Sequence, residues 1–118
     1  MEPYERFKAW QLAHARFHEV RKSVQGWPSA ERFELSSQTR RAAWSVPANI
    51  VEGSALRGRK QFRAQLDRAY GSLAELGYAL RTAQELGYLT SEAHQLLEQR
   101  RVETSKTLWG LMSSVREG

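Results

Sequence analysis

The sequence contains no cysteine, which excludes disulfide bonds and thiolate metal sites and suits a reducing compartment. No apolar run approaches the roughly 20 residues that a membrane-spanning helix needs. The first ten residues, MEPYERFKAW, are charged and lack the apolar core of a signal peptide. We therefore expect a cytoplasmic protein without a membrane segment, folded as one domain over residues 1–118.

Strand signals are also lacking: no stretch alternates apolar and polar residues, and no Asn-Gly hairpin turn occurs. Apolar residues instead recur at steps of three and four, which indicates helices. The pattern is clearest over residues 60–85, where it comprises Phe62, Leu66, Ala69, Leu73, Leu76, Leu80 and Ala83. Such a heptad seam is typical of helices that pack at shallow crossing angles.

Three further helices are predicted, over residues 6–25, over residues 33–54, and after Thr90, which can cap the last one. The connections between the four segments, GWPSAER, SALRGRK and LGYLT, are short. Because short connections place consecutive helices side by side, the sequence predicts an all-α, antiparallel up-down-up-down four-helix bundle.

The second predicted helix contains an interior proline, Pro47, which should cost about 3 kcal/mol and call for a kink or bulge. Polar residues line one side of this helix, and two more follow on the third: Gln38, Arg41, Ser45, Asn49, Glu52, Ser72 and Glu75. We expect them to form a polar network that fixes the register of the two helices. An ion pair between Arg41 and Glu75 would be its strongest link. The alternative is a polar site for a ligand.

The net charge of +5 is concentrated in residues 40–68, which carry seven bases and two acids, whereas the remaining residues balance. Four of these bases cluster near the second connection: Arg57, Arg59, Lys60 and Arg63. Cations at a helix start are mildly unfavourable, so the cluster favours a nucleic-acid backbone site without sequence specificity. The alternative is a solvated helix face.

Signals for metal, cofactor or catalysis are weak. His14 and His18 have a metal-binding spacing, but no carboxylate ligand lies between them. Glu52 and Glu75 have no nucleophile beside them, and no phosphate-binding loop is present. We therefore predict a protein that is not an enzyme and that carries no metal and no cofactor.

Aromatic residues exceed the needs of one core: there are four each of Trp, Tyr and Phe. Tyr70 and Tyr78 mark a second face of the third predicted helix, and Trp44 and Trp109 also lie off the core stripes. This surplus predicts a subunit interface. The alternative is a wide monomer core.

The stretches SSQTRRAAWSVPANIVEG and GSLAEL, with Trp10 and the Gly-Tyr-Leu turn at residues 87–89, closely resemble a bacterial four-helix bundle family. That family was first noticed in reading frames within large-subunit ribosomal RNA intervening sequences. The resemblance covers about residues 7–115. Trp44 and Trp27 depart from the usual pattern, which affects packing or an interface more than the fold.

The resemblance implies a left-handed bundle that assembles into rings, often pentamers, but it implies no settled activity. A relative in fold, the accessory subunit of diversity-generating retroelement reverse transcriptases, contacts nucleic acid and the enzyme. We therefore expect a homo-oligomer, a pentamer on this resemblance, that binds RNA or DNA. The alternative is an adaptor whose ring-like oligomer binds a protein partner.

Overall fold

The computed structural model describes residues 1–116, apart from the side chain of Arg116. It contains four α-helices and two short 3-10 turns, at Pro3–Arg6 and Ser29–Glu31. The helices are α1 (Lys8–Val24), α2 (Leu35–Ala55), α3 (Arg59–Glu85) and α4 (Ser91–Arg116). No strand occurs within residues 1–116. The prediction of an all-α four-helix bundle is confirmed.

The helices pack as a square in which α2 and α4 each contact α1 and α3. Among the described residues, the backbones of the diagonal pairs α1–α3 and α2–α4 stay more than 8 Å apart between Cα atoms. Helices α2 and α3 are antiparallel. Ser45 of α2 contacts Ser72 of α3, whereas Gly53, further along α2, approaches Gln65, which is earlier in α3. The bundle is 45 Å long and 24 Å across. Its α1–α2 face is therefore opposite its α3–α4 face.

The core follows the heptad seam of α3. Six of its seven predicted members are at most 1% exposed, and Phe62 is half-buried against them. The fully buried members are Leu66, Ala69, Leu73, Leu76, Leu80 and Ala83. Burial of a leucine side chain contributes about 1.5–3 kcal/mol, so the four leucines of the seam contribute substantially to the stability of the bundle.

The ends of α3 and α4 are defined by local hydrogen bonds. Gly87 has a φ of +83°, and the amide of Tyr88 donates to the Ala83 carbonyl at 2.8 Å, which ends α3. The hydroxyl of Thr90 accepts from the Ala93 amide at 3.0 Å and caps α4, as the sequence predicts. The chain therefore reverses within five residues between the two helices.

The connection between α1 and α2 is held against the α3–α4 turn. Trp27 is 7% exposed, and its ring centroid lies 5.9 Å from that of Tyr88. The Tyr88 hydroxyl donates to a Glu31 carboxylate oxygen at 2.6 Å, and this carboxylate raises the pKa of Tyr88. The extra aromatic at residue 27 is thus part of the core.

Candidate nucleic-acid interface

The basic cluster surrounds the start of α3. Gly58 precedes this helix with a φ of +91°, a left-handed conformation that favours glycine. The first turn of α3 contains no acidic residue, and within the described residues no side chain caps its amides. The positive end of the helix dipole therefore adds to the charge of the cluster, as at helix ends that bind phosphate.

The four predicted cations differ in their surroundings. Arg57, Arg59 and Lys60 are exposed at the end of the bundle. Arg63 is half-buried: its Nε lies 3.0 Å from a carboxylate oxygen of Asp67, and its Nη1 donates to the Met112 carbonyl at 3.3 Å. Arg63 thus fixes α3 against α4, and this structural role differs from the predicted phosphate contact.

A fifth cation at this end of the bundle was missed by the sequence analysis. Arg6 is exposed on the N-terminal 3-10 turn, which packs against α2. Its neighbours Pro3 and Phe7 line the same depression as Gly58 and Arg59. Glu2 and Glu5 precede Arg6, so charge counted along the sequence cancels at this turn and gives no signal.

The polar residues between α2 and α3 form a smaller network than predicted. The hydroxyls of Ser45 and Ser72 are 2.8 Å apart, and Asn49 donates to the Ser45 hydroxyl at 2.8 Å. The predicted Arg41–Glu75 ion pair is not formed among the described residues. Both side chains are exposed, and water solvates exposed charges about as well as a partner does.

The other predicted members lie outside this contact. Gln38 and Glu52 are exposed, and their side chains take no part in the Ser45–Asn49–Ser72 network. Gln65, which was not predicted, is buried beside Gly53, and its side-chain oxygen has no hydrogen-bond partner among the described residues. The hydrogen-bonded polar part of the α2–α3 contact therefore consists of Ser45, Asn49 and Ser72, whereas the predicted charged members are exposed.

Aromatic side chains form a concave surface between α1 and α2, which we call the α1–α2 groove. It encloses about 380 Å³ and is lined by Tyr4, Trp10, His14, Trp44, Pro47, Ala48, Val51 and Glu52. Pro47 is buried at its base, and α2 continues through it as a helix. Trp44 packs edge-on against Phe17 at 5.4 Å yet remains 58% exposed.

The opposite face, between α3 and α4, carries two projecting rings. Tyr78 is 72% exposed, and Trp109 is 53% exposed while its ring lies 5.5 Å from that of Tyr70. Three of the surplus aromatic residues therefore lie at the surface, outside the core of the bundle: Trp44, Tyr78 and Trp109. Aromatic side chains are enriched at protein interfaces, so these rings are candidates for interface residues.

Between these two rings, the α3–α4 face holds a half-buried ion pair. Arg101 lies over Gly77, where an added Cβ would be 2.6 Å from the guanidinium carbon. The guanidinium donates to the Leu73 carbonyl at 3.2 Å and to the two Glu98 oxygens at 2.6 and 2.8 Å. This pairing lowers the pKa of Glu98 and raises the pKa of Arg101.

Acidification is expected to weaken this ion pair. The pKa of Glu98 is lower in the folded protein than its ordinary value of 4.5. The ion pair therefore stabilises the folded protein fully above pH 4.5, and this stabilisation is lost as the pH falls through the pKa that Glu98 has in the folded protein. A partly exposed pair of this kind contributes about 0.2–1 kcal/mol. Urea unfolding at about pH 7 and about pH 3 should show a smaller pH dependence for Glu98→Gln than for the wild type. Glu103→Gln, at an exposed position, is the control; equal pH dependence in all three proteins would contradict the assignment.

Metal ligation and membrane insertion find no support in the described residues. His14 stacks on Trp10 with centroids 4.7 Å apart and meets His18 edge-on at 4.7 Å. Residues 1–116 contain no group of three or more side chains arranged to hold a metal ion. None of the described helices combines the length and apolarity needed to cross a membrane.

Comparison with known proteins identifies the family. The model of the family described as 23S rRNA-intervening sequence protein matches residues 5–110. The chain belongs to the 23S rRNA-intervening sequence protein family. This confirms the resemblance seen in the Pro-Ala-Asn-Ile and Gly-Ser-Leu stretches of α2 and α3.

A solved structure is similar to this chain in fold. It is the crystal structure of a protein of unknown function from the S23 ribosomal protein family of Bacteroides thetaiotaomicron. The TM-score is 0.82 at 21% identity, and the match covers 89% of this chain and 95% of the other. A search of curated proteins finds no significant match. These comparisons show the family and the fold, and they point to no enzymatic family.

Proposed function

We propose that this protein is a non-enzymatic, cytoplasmic homo-oligomer that binds the phosphate backbone of RNA or DNA through Arg57, Arg59 and Lys60. The observation that carries the proposal is the start of α3, where three exposed cations surround a helix end without acidic residues. Phosphates are attracted there by the side-chain charges and by the helix dipole together. No base-reading element accompanies the cluster, so binding should depend little on sequence.

Oligomerisation would strengthen such contacts. A single subunit offers three weak phosphate contacts, whereas a ring, with five subunits as the family resemblance implies, repeats them at a fixed spacing. Nucleic acid that bridges two subunits then binds the second one at a high effective concentration. The exposed aromatic rings on both faces of the bundle support an interface of this kind.

The test is fluorescence anisotropy with labelled mixed-sequence single-stranded RNA and DNA, titrated with salt. Replacing Arg57, Arg59 and Lys60 by Gln should lower affinity at least about tenfold and reduce the slope of log K against log salt by about 2 per bound subunit. The matched control replaces Arg21, Lys22 and Arg32 by Gln. These exposed cations lie at the opposite end of the bundle, so the same charge change should have a small effect.

Equal losses of affinity in the two triple variants would mean that the net charge of the protein, and not the start of α3, governs binding to nucleic acid. No binding of wild-type protein at low salt would contradict the proposal and favour the second candidate. That candidate is an adaptor whose oligomer binds a protein partner, and the aromatic surfaces on opposite faces of the bundle support it. Capture of a protein partner that persists in the Arg57, Arg59 and Lys60 variant would support the adaptor.

A further inference from the structure

The α1–α2 groove has the size and the lining of a small-molecule site. Its volume of about 380 Å³ lies within the range of about 300–1,000 Å³ that is usual for ligand pockets. Aromatic side chains border it, and small apolar residues of α2 lie between them: Tyr4, Trp10, His14 and Trp44, with Pro47, Ala48 and Val51. In such an apolar cleft, the few polar groups decide which ligand fits.

The aromatic rings of the groove are held in place by their neighbours. The Trp10 ring stacks on His14 with centroids 4.7 Å apart, and it meets the Tyr4 ring edge-on at 4.9 Å. Trp44 meets the Phe17 ring edge-on at 5.4 Å, yet it stays 58% exposed. Because these contacts already fix the rings, a ligand that binds between them should cost little side-chain entropy.

The charge of the groove is negative. Glu52 is its one carboxylate, and none of the described residues that line it is lysine or arginine. Glu52 is exposed and forms no ion pair within the described part of the chain. Aromatic rings attract cations to their faces, tryptophan most strongly, and a nearby carboxylate adds to this attraction. The complementary ligand is therefore a cation, although the protein as a whole has a net charge of +5.

The carboxylate lies at one end of the groove and the most exposed ring at the other. Helices α1 and α2 are antiparallel, so Trp10, which precedes Phe17 in α1, lies toward the Glu52 end of α2. Tyr4 belongs to the same end, through its contact with Trp10. At a rise of 1.5 Å per residue, Trp44 is about 12 Å from Glu52 along α2. A ligand that uses the whole groove needs a cationic group at one end and an apolar body that extends toward Trp44.

We infer that the α1–α2 groove binds a small organic ammonium compound, a single cation with an aromatic or other apolar body. The ammonium group lies between the Glu52 carboxylate and the rings of Trp10 and Tyr4, and the body lies over Ala48 toward Trp44. The groove shares no residue with the basic cluster at the start of α3. This inference therefore goes beyond the proposed function, and neither one depends on the other.

The first test compares three probes in NMR titrations of the ligand signals with the full chain. Phenethylamine should bind with a Kd on the order of 1 mM. Phenethyl alcohol has the same number of non-hydrogen atoms but no charge, and its affinity should be at least about fivefold lower. Butylamine, which has the shape of a lysine side chain but no aromatic body, should also bind at least about fivefold more weakly.

Three results would overturn the inference. Equal affinities for phenethylamine and phenethyl alcohol would mean that the groove selects apolar compounds and not cations. Equal affinities for phenethylamine and butylamine would point to a lysine side chain of a protein partner as the occupant. No binding of phenethylamine at millimolar concentrations would mean that the groove is no ligand site, as when a subunit interface covers it.

The second test locates the site with variants at exposed positions, whose fold circular dichroism checks. Glu52→Gln should lower the affinity for phenethylamine at least about threefold and leave that for phenethyl alcohol unchanged. Trp44→Leu should lower the affinity for phenethylamine at least about threefold. Its matched control is Trp109→Leu, the same exchange on the opposite face of the bundle, which should have no effect. Unchanged affinity in Glu52→Gln, or equal losses in the two tryptophan variants, would overturn the inference.

Discussion

Replacing Leu73 by alanine is expected to lower the free energy of unfolding by about 2–5 kcal/mol. Leu73 is 1% exposed at the centre of the α3 seam, and it packs among buried residues of the other helices. The change removes the burial of three carbon atoms and leaves a cavity, which rigid neighbouring helices fill only in part. A loss of this size is a large share of the 5–15 kcal/mol that stabilises a typical domain.

Urea unfolding at a fixed protein concentration measures this effect, since oligomerisation makes apparent stability depend on concentration. The control is Leu96→Ala, which truncates the same kind of side chain on α4 where it is 46% exposed. We expect that variant to differ from the wild type by less than about 0.5 kcal/mol. Equal losses of stability at Leu73 and Leu96 would contradict the burial of the α3 seam in the core.

The second large effect is expected at Gly53, where α2 closely approaches α3. A Cβ at this position would lie 2.8 Å from Cδ1 of Phe62 and 3.0 Å from Cβ of Gln65. The Cβ of Gln65 moves only with its backbone, so the two helices must separate to accommodate a methyl group. We expect Gly53→Ala to destabilise the protein by about 1–3 kcal/mol in spite of the higher helix propensity of alanine.

Gly71 provides the matched control, because it also lies inside a helix but has nothing within 4 Å of an added Cβ. Gly71→Ala should therefore show the propensity effect alone and stabilise the protein by about 0.5–1 kcal/mol. The two identical substitutions are thus expected to have opposite signs in thermal or urea unfolding. If Gly53→Ala also stabilised the protein, the close contact between α2 and α3 would be wrong.

Local sequence determined the helices and their buried faces. The spacing of residues 62–83 placed the α3 seam correctly, because a period of 3.6 residues brings these side chains to one side of any helix. Thr90 likewise marked the start of α4, since a cap depends on the three residues that follow it. The predicted LGYLT connection also lies where the structure ends α3, at the positive φ of Gly87.

Only the tertiary structure decided which partners the polar and aromatic side chains take. Arg63 reaches the Met112 carbonyl, 49 residues further along the chain, whereas Arg41 and Glu75 remain apart. Trp27 is buried and Trp109 is exposed, although both lie outside the apolar stripes that the sequence predicts. Exposed ion pairs are worth less than about 1 kcal/mol, so their formation depends on the exact spacing of neighbouring helices. The periodicity of one helix carries no information about that spacing, which is set when all four helices pack together.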